Sequence, residues 1–583
     1  MIFYTDLEFY DGETIKDIYL LLGNSKDYII NKKGIGFEGI EFLFKTGKTF
    51  NYFFRMDYDV NMIINNCNLS NKEIIDFFNN KEIKIKDYTL QYFRNKILII
   101  RKGKEEKVFY DVFNFFNTSF VKVMEILELD KKFKTEYNLI KQFKLIRNVF
   151  TKKMLKKIID YNKTECLIGL EIVKEIYRLL PEDLKTLKLY GASSITNIYL
   201  KKNEIDKKIN LIDFNFRILK DMFFGGRMEA FKIGLFKDIY KYDINSAYPY
   251  IISKLKVIKS IEKVNDKEKD KIVETDIYFI EMEIKDLELI GLLPIRLKSG
   301  LVVYPNKVKG YYYGVEVQAV DLYSKKYNVK YRIIKRFKVN FEDKKLFNDI
   351  ELLYNLRLKY KKKNDKRNLI YKILLNSIYG KFAQKTGKNI FNNYYYAGLI
   401  TSSIRAKLLI DFVDYAKDII FIATDGVLTL KENLKLKNKI NNKLGNYELI
   451  KIKKGYVILS GIYYLESYNN KIYTGQRGFH IDYNKVIPAI NEFGNVKIID
   501  NVFITLPFAL KNYKSFLKYK CKIIPFEKEL NIKNQLKRIF LINKDRDFLI
   551  TNYNSLILTN ENVKLLNKIK VNYLDIDFYF DFY

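Results

Sequence analysis

The sequence predicts a multidomain protein of mixed α/β and α+β class. Its 583 residues correspond to about four domains of ordinary size. Hydrophobic residues make up 48% of the chain and charged residues 30%, a composition that can bury a large core and that excludes a disordered or fibrous protein. Over the first 120 residues, short apolar runs alternate with turns, which predicts strands with intervening helices.

The remaining segments differ in their periodicity along the chain. Residues from about 150 to 200 have helical spacing, and a segment with two glycines then leads into KYDINSAYPYII near residue 243. Residues 255–345 are rich in predicted strands, and residues 345–385 form a long basic helical stretch. The segment 418–430 is typical of strand, tight turn and strand, and the final hundred residues are basic and mixed.

The charge balance indicates a polyanionic partner. Lys and Arg number 104 against 69 Asp and Glu, which gives a formal net charge of +35. Nucleic acid is the first candidate, because neutralising phosphates supplies much of the energy of binding it. The alternative is the codon bias of an AT-rich genome, which also accounts for 47 Tyr, 44 Phe and no Trp. Charge alone therefore does not decide the partner.

Cysteine and histidine are too few and too scattered for several kinds of catalytic site. Cys67, Cys166 and Cys521 form no CxxC pair, and His480 is the only histidine in the sequence. Zinc modules, Ser-His-Asp triads and Cys-His nucleophiles are excluded, and no disulfide framework is implied. The first dozen residues are acidic, unlike a signal peptide, and no apolar run approaches the ~20 residues that span a bilayer. We expect a soluble intracellular protein whose chemistry depends on carboxylates.

The first chemical motif is KYDINSAYP, which contains Asp243. An aspartate at the end of an apolar strand, followed by a tight turn, can present its carboxylate at the edge of a sheet. The alternative is an ordinary strand-to-helix turn capped by Asn245 or Ser246.

The second motif is KILLNSIYG, in the basic helical stretch. Lys372, Asn376 and Tyr379 are spaced by four and three residues, so they share one helix face. That face offers a cation for phosphate, an amide, and an aromatic ring for a base or sugar. Arg357 and Lys361, again four apart, extend the basic character upstream. The alternative is a solvated basic helix with Tyr379 in the core.

The third motif is IATDGVL, where Asp-Gly between apolar runs predicts a hairpin turn. A structural turn alone would explain it. The functional interpretation places Asp425 opposite Asp243, so that two carboxylates hold the divalent cations that phosphoryl transfer requires. The two residues are far apart in the sequence, so the sequence alone does not show that they meet.

These three segments, in this order, resemble motifs A, B and C of family B DNA polymerases, and most of all the protein-primed branch of phages, adenoviruses and linear plasmids. FFGGR, Phe223–Arg227, resembles the YxGG element of that branch, and LLPIR and ITSSIRAKL lie where the branch has similar strings. The resemblance extends from residue 1 to about 480.

The resemblance implies an RNase H-like 3′–5′ exonuclease domain followed by a right-hand polymerase with palm, fingers and thumb. The implied division is exonuclease 1–200, first palm part 201–254, an insertion like the terminal-protein region 255–345, fingers 346–395, second palm part 396–480, and thumb with C-terminal region 481–583.

Roles for individual residues also follow from the resemblance. Asp243 and Asp425, with the Ile244 carbonyl, are expected to hold two Mg²⁺ ions, for which Mn²⁺ can substitute. Tyr248 is expected beneath the incoming sugar, where its bulk excludes a 2′-hydroxyl. Lys361 and Lys372 are expected to hold the triphosphate, and Asn376 and Tyr379 to contact the nascent pair. Arg357 is also expected among the nucleotide-binding residues.

The sequence departs from the family pattern at two polymerase motifs. In motif C, Ala423 replaces the first Asp of the usual DTDS and Gly426 replaces the Ser. The resemblance implies a later Lys-x-Tyr element whose lysine positions the primer end. Here that element begins with Gly461, so its lysine is missing. Lys453 and Lys454 are the candidates to replace that lysine.

A second carboxylate set belongs to the implied exonuclease. Asp6-Leu7-Glu8 lies on a predicted strand with both acidic side chains on one face, and solvated charge is the alternative interpretation. By resemblance, Asp6, Glu8 and Asp59 would bind metal. Tyr161-x3-Glu165 resembles the third exonuclease motif, with Glu where the family has Asp.

We therefore expect a DNA-directed DNA polymerase that replicates a viral or linear-plasmid genome, is primed by a terminal protein and proofreads. Its expected partners are DNA template and primer, dNTPs and the terminal protein, with no membrane. It is expected in the host cytoplasm, or in a mitochondrion for a mitochondrial plasmid. The alternatives are a related polymerase that extends nucleic-acid primers and a non-catalytic nucleic-acid-binding remnant. The segment 384–400 is too short for the branch's second insertion, so processivity and strand displacement are not inferred.

Overall fold

The computed structural model describes residues 4–146, 151–209, 214–384, 389–476, 480–511, 514–532, 536–542 and 552–568. The chain divides into two compact units, each built from three segments. The first unit comprises Met1–Lys202, Leu356–Ser377 and Asn501–Phe526. The second comprises Asn203–Asn355, Ile378–Asp500 and Glu527–Tyr583.

The helices of the described residues are α1 (Phe37–Thr46), α2 (Met56–Asn65), α3 (Asn71–Phe78), α4 (Phe120–Ile126), α5 (Leu129–Lys132), α6 (Lys134–Ile146), α7 (Leu155–Leu179), α8 (Ala192–Lys202), α9 (Ile205–Lys208), α10 (Phe216–Asp221), α11 (Ala247–Ile252), α12 (Gly314–Ser324), α13 (Ile350–Lys362), α14 (Arg367–Phe382), α15 (Tyr394–Asp411), α16 (Tyr483–Phe493), α17 (Leu506–Lys511) and α18 (Asn560–Leu566).

The strands are β1 (Leu7–Phe9), β2 (Asp11–Ile15), β3 (Ile18–Gly23), β4 (Tyr28–Ile30), β5 (Phe50–Phe53), β6 (Ile83–Ile85), β7 (Tyr88–Phe93), β8 (Ile97–Lys102), β9 (Glu105–Asp111), β10 (Arg227–Ala230), β11 (Lys232–Ile244), β12 (Lys256–Lys263), β13 (Ile277–Ile284), β14 (Ile295–Arg296), β15 (Val302–Val303), β16 (Lys307–Tyr313), β17 (Val329–Lys345), β18 (Ile419–Thr424), β19 (Gly426–Thr429), β20 (Tyr447–Leu459), β21 (Ile462–Ser467), β22 (Ile472–Gln476), β23 (Asn495–Phe503), β24 (Ile523–Asn531), β25 (Ile539–Phe540) and β26 (Tyr553–Leu556).

The first unit is built on a mixed sheet with the strand order β1-β5-β9-β8-β7-β6. β1, β5 and β9 are parallel, and the other neighbours are antiparallel. Strands β2, β3 and β4 form a separate antiparallel sheet. Helix α7 packs against β1 and β2, because its apolar residues recur at helical spacing and bury one face.

A segment from late in the sequence completes the core of this first unit. Leu506 and Cys521 are buried among the apolar side chains of α2 and α3. The backbone N–H of Leu506 donates a 2.8 Å hydrogen bond to the side chain of Asn61, and Phe503 packs its ring 4.9 Å from that of Tyr58. Residues 501–526 are therefore part of the first unit's hydrophobic core.

The second unit contains a nine-stranded sheet, in the part of the chain that the structure describes, with the central order β10-β18-β19-β11-β20-β21-β22. Strand β11 lies between β19 and β20, and both neighbours run antiparallel to it. Tyr242 and Ile244 of β11 belong to one apolar cluster, which includes helix α15. Ile239 belongs to a second cluster with β20 and α16, so β11 is buried on both faces.

Residues 255–345 form mainly strands, as the sequence predicts, in a four-stranded antiparallel sheet of order β12-β17-β13-β16. The helical stretch predicted over 345–385 is interrupted, and α13 and α14 are separate helices. Asn364 lies between them with φ 51°, and Asp365 accepts the Arg367 N–H at 2.9 Å. This left-handed residue and side-chain cap end one helix and start the next. In the 384–400 segment, residues 385–388 lie outside the described residues.

Among the described residues, no helix combines the length and apolar character needed to cross a membrane.

Candidate active sites

The structure brings Asp243 and Asp425 together on neighbouring strands. Asp243 is the penultimate residue of β11 and pairs with Gly426 of β19. Asp425 occupies the turn between β18 and β19, and its carbonyl accepts the Ile244 N–H at 3.0 Å. Two aspartates that are far apart in the sequence therefore lie on neighbouring segments of the backbone, where β11 ends beside the β18–β19 turn.

The hairpin that carries Asp425 is tight. Thr424 has φ 59°, and a Cβ on Gly426 would lie 2.3 Å from Oδ1 of Asp243. The glycine thus leaves room for the observed position of the Asp243 carboxylate. Burial raises the pKa of the Asp425 carboxyl above its usual value, and the charge of Lys241 opposes that shift, because desolvation disfavours a carboxylate and a nearby cation favours it. A bound divalent cation would favour the charged carboxylate further.

Lys241, which the sequence analysis did not single out, lies at this site. Its ammonium forms an ion pair with the Asp243 carboxylate. The Lys241 side chain is 12% exposed and that of Asp243 35%. Burial lowers the pKa of the Lys241 ammonium, while the charge of Asp425 opposes that shift. The sequence signal that could have identified Lys241 is its spacing from Asp243. Residues two apart on a strand project to the same face of the sheet.

Position 461 does not offer the missing family lysine. Gly461 has φ 83°, a conformation that an L side chain adopts only with strain. Lys453 is exposed, and the Lys454 ammonium lies 5.0 Å from the centroid of the Tyr456 ring. Within the described residues, neither lysine contacts Asp243 or Asp425. Tyr463, the last residue of the element, remains near Asp425, whose charge adds to burial in raising the tyrosine's pKa.

Tyr248 lies at the start of α11, next to Tyr379. The two ring centroids are 4.7 Å apart. A Cβ on Gly226 would lie 2.9 Å from the Tyr248 hydroxyl, so the FFGGR segment closely approaches this tyrosine. Tyr248 and Tyr379 are therefore held against each other within the second unit.

Hydrogen bonds join the three additional segments of the resemblance, which are FFGGR, LLPIR and ITSSIRAKL. Arg405 donates to the carbonyls of Phe224 and Gly225, each at 2.7 Å. Arg227 donates to the Gly291 carbonyl at 2.7 Å, and Arg296 donates to the Phe223 carbonyl at 2.8 Å. Arg296 and Arg405 thus hold the carbonyls of the FFGGR segment through charge-assisted hydrogen bonds, which are stronger than neutral ones.

The predicted nucleotide-binding residues fall in two units. Arg357 and Lys361 lie on α13, and Lys372 and Asn376 lie on α14, all within the first unit. Lys361, Lys372 and Asn376 are exposed, and Arg357 is partly exposed. Tyr379 belongs to the second unit, as do the two carboxylates.

A second carboxylate cluster lies in the first unit. Asp11 and Glu13 of β2 and Glu165 of α7 are all buried, and one ligand atom from each lies within 4.8 Å of the others. Helix α7 presents Glu165 on its buried face, together with Tyr161 one turn earlier. The hydroxyl of Tyr161 and the ammonium of Lys144 both donate to the Glu165 carboxylate.

The predicted first carboxylate pair, Asp6 and Glu8, lies outside this cluster. Asp6 is exposed in a short turn before β1. Glu8 is buried but accepts the Ser25 hydroxyl at 3.0 Å, and neither residue is in the cluster. The second acidic triplet, Asp11-Gly12-Glu13, provides the two acids that lie beside Glu165 of α7. Gly12 allows the Tyr19 hydroxyl to approach the backbone between the two acids, since a Cβ there would lie 1.8 Å from that hydroxyl.

Asp59 is linked to the same cluster through Tyr19. The Tyr19 hydroxyl donates to Oδ1 of Asp59 at 2.6 Å. That hydroxyl also lies against Gly12, between the two clustered acids of β2. Burial and the charge of Asp59 raise the pKa of Tyr19 far above its usual value, so the phenol stays protonated and donates.

Both carboxylate sets fit divalent cations. Hard oxygen ligands such as these suit Mg²⁺ and Mn²⁺. At the first-unit cluster, three buried acids lie together, and one of them, Glu165, forms an ion pair with Lys144. Burying several carboxylates in one place is costly, and a divalent cation there would offset that cost.

Comparison with known proteins identifies the family. Residues 38–443 match the family model described as DNA polymerase type B, organellar and viral. The chain belongs to this type B DNA polymerase family. The match spans more than half of the sequence and includes both Asp243 and Asp425, so the predicted resemblance is confirmed.

Two curated relatives of this type B chain are viral. The DNA polymerase of Acidianus bottle-shaped virus is 25% identical over 379 residues, covering 59% of this chain and 53% of the relative. The DNA-directed DNA polymerase of Enterobacteria phage PRD1 is 27% identical over 307 residues, covering 51% and 50%. The chain thus spans about half the length of these relatives.

Solved structures establish the fold of this family member. Phi29 DNA polymerase complexed with primer-template DNA and incoming nucleotides aligns with a TM-score of 0.62 at 15% identity, covering 90% of this chain and 100% of that one. The orthorhombic crystal form of phi29 DNA polymerase gives 0.61 at 16%. The predicted fold, an exonuclease domain followed by a right-hand polymerase, is confirmed.

Proposed function

We propose that this chain is a DNA-directed DNA polymerase that copies a viral or linear-plasmid genome, starts from a terminal protein and proofreads its product. The observation that carries the proposal is the pairing of Asp243 with the β18–β19 hairpin, which places Asp243 and Asp425 on neighbouring segments of the backbone in a chain of this family. A replication enzyme of this kind works where its genome is copied, in the host cytoplasm or in a mitochondrion.

At the polymerase site, Asp243, Asp425 and the Ile244 carbonyl would hold two Mg²⁺ ions, with Mn²⁺ as a substitute. When bound, such ions supply the Lewis acidity that phosphoryl transfer needs. Tyr248 would lie beneath the deoxyribose of the incoming dNTP and leave no room for a 2′-hydroxyl. The family motifs extend the proposed contacts to the rest of the nucleotide, with Lys361 and Lys372 at the triphosphate and Asn376 with Tyr379 at the nascent pair. Arg357 is a further proposed nucleotide-binding residue.

At the proofreading site, we assign metal binding to Asp11, Glu13, Asp59 and Glu165. These carboxylates would position the water that attacks the terminal phosphodiester of a DNA strand. Tyr161 and Lys144 hold the Glu165 carboxylate from two sides. The longer glutamate is therefore fixed in place, which supports activity with Glu where the family has Asp.

Priming is tested with two substrates and one label. The purified chain receives labelled dNTP and Mg²⁺, either with an oligonucleotide primer on its template or with an unprimed DNA end and a protein extract of the genome's host. Label bound to protein in the second reaction supports protein priming. Label in the first reaction alone supports a polymerase that extends nucleic-acid primers. Incorporation in neither reaction would identify a non-catalytic remnant.

Sugar selection tests the role of Tyr248. Replacing Tyr248 with alanine should raise ribonucleotide incorporation relative to deoxyribonucleotide by about 10- to 100-fold, the scale on which a changed pocket shape alters discrimination. Single-nucleotide extension with each sugar measures the ratio. Tyr248→Phe keeps the ring and is the control, since it should discriminate like the wild type. An unchanged ratio in the alanine variant would remove Tyr248 from the sugar pocket.

A further inference from the structure

Lys241 occupies a position on β11 where an apolar side chain would be expected. Its partners directly across the two neighbouring strands are Leu428 of β19 and Ile450 of β20, and directly paired residues project from the same face of a sheet. A nearly buried ammonium between two aliphatic side chains is costly unless it is paired. The reason for a lysine here must therefore lie at the end of its side chain.

The Lys241 ammonium reaches the catalytic edge of the sheet. It pairs directly with the Asp243 carboxylate and lies 5.6 Å from the centroid of the Tyr473 ring, within the range of a cation–π contact. Asp425 and Glu448 also act on it with attractive charge, and Lys471 with repulsive charge. The ammonium thus lies on a carboxylate that the proposed function assigns to metal binding.

The same region lacks the cation that the family supplies from another strand. Gly461 replaces that lysine, with a backbone conformation that disfavours any side chain. Lys453 and Lys454, the sequence-based substitutes, do not contact either carboxylate in the described residues. Among the residues that the structure describes, Lys241 of β11 is the cationic residue that forms an ion pair with Asp243.

We propose that Lys241 is a positioning residue that exchanges partners, pairing with Asp243 while the site is free of metal and with a phosphate at the primer end once a divalent cation replaces it. The inference rests on the proposed polymerase function. A lysine suits both states, because its ammonium is a compact charge on a flexible stem. In the first state it is the internal counter-ion of the carboxylate. In the second it supplies the primer-end contact that position 461 cannot make.

The first test measures metal binding without DNA. Mn²⁺ affinity is followed by electron paramagnetic resonance in the Asp11→Ala/Glu13→Ala background, so that the polymerase site is observed. Lys241→Met should bind Mn²⁺ roughly three- to tenfold more tightly, because a competing ion pair of modest strength is gone. Lys241→Arg should bind like the parent. Unchanged or weaker Mn²⁺ binding by Lys241→Met would overturn the counter-ion role.

The second test measures DNA binding by fluorescence anisotropy, in Ca²⁺ and with a dideoxy-terminated primer. Lys241→Met should weaken primer-template binding by roughly three- to tenfold and reduce the salt slope by about one, while unprimed template binds as before. Lys454→Met removes the same charge from β20 and is the matched control. Equal losses in both variants, or none in Lys241→Met, would overturn the primer-end role.

Failure of this inference can be told from failure of the proposed function. Asp425→Asn, in the same background, should weaken Mn²⁺ binding if the polymerase site is assigned correctly. If that variant binds like its parent, the metal site itself is wrong. If it weakens binding while Lys241→Met changes nothing, the polymerase assignment stands and the partner exchange is wrong.

Discussion

Replacing Asp425 with asparagine should lower templated dNTP incorporation by about a thousandfold or more, since phosphoryl transfer depends on the charge that this carboxylate contributes to metal binding. Asp243→Asn should have the same effect, because the two residues lie side by side on β11 and the β18–β19 turn. Primer extension with Mg²⁺ measures the loss. Primer-template affinity should be nearly unchanged, because each substitution alters few phosphate contacts.

The matched control for this prediction is Ala423→Asp, which restores the family's usual residue in the same hairpin. Ala423 pairs with Met228 of β10 and with Gly426, and we expect the variant to remain active. Extension at the wild-type rate by either asparagine variant would show that the site lies elsewhere.

Removing Asp11 and Glu13 together should abolish 3′–5′ degradation of single-stranded DNA, by at least about a hundredfold, because two of the clustered buried acids are lost. Polymerisation should persist, since Asp243 and Asp425 belong to the other unit. Digestion of a 5′-labelled oligonucleotide, in the absence of dNTPs, provides the measurement.

Asp6→Ala is the control that separates the two acidic triplets. Asp6 is exposed and outside the cluster, so its loss should leave degradation intact. If Asp6→Ala loses degradation while the Asp11/Glu13 double variant still degrades DNA, the first triplet would be the metal site. A wild type that does not degrade DNA would direct attention to Glu165, and Glu165→Asp should then gain activity.

The sequence carries a clearer local signal for the proposed polymerase carboxylates than for the proposed exonuclease carboxylates. Asp243 and Asp425 each end a strand at a turn, a local signal, and their order along the chain matched a family. Their adjacency required the pairing of β11 with β19, which no local pattern encodes. Asp6-Leu7-Glu8 and Asp11-Gly12-Glu13 have the same spacing of acids. Their position relative to Glu165 of α7 distinguishes them, and the contacts between β2 and α7 join residues more than a hundred positions apart.

Lys241 escaped prediction for a related reason. In the sequence it is one of 104 basic residues, and a strand of a basic protein commonly carries a solvated lysine. Its significance comes from burial between Leu428 and Ile450, which depends on three strands at once. The break between α13 and α14 was also missed, although Asn364 and Asp365 are residues that favour such an ending.

The late segment in the first unit has a consequence for synthesis. The side chains around Ile74 and Phe77 share a core with Leu506 and Cys521, so the earliest part of the nascent chain cannot complete its interior when it emerges. The segment 501–526, which completes this core, is synthesised roughly 400 residues later, a delay of about 20 to 80 s at ordinary translation rates. For that interval an apolar surface stays uncovered on the ribosome, and a chaperone that shields it would raise the yield of native protein.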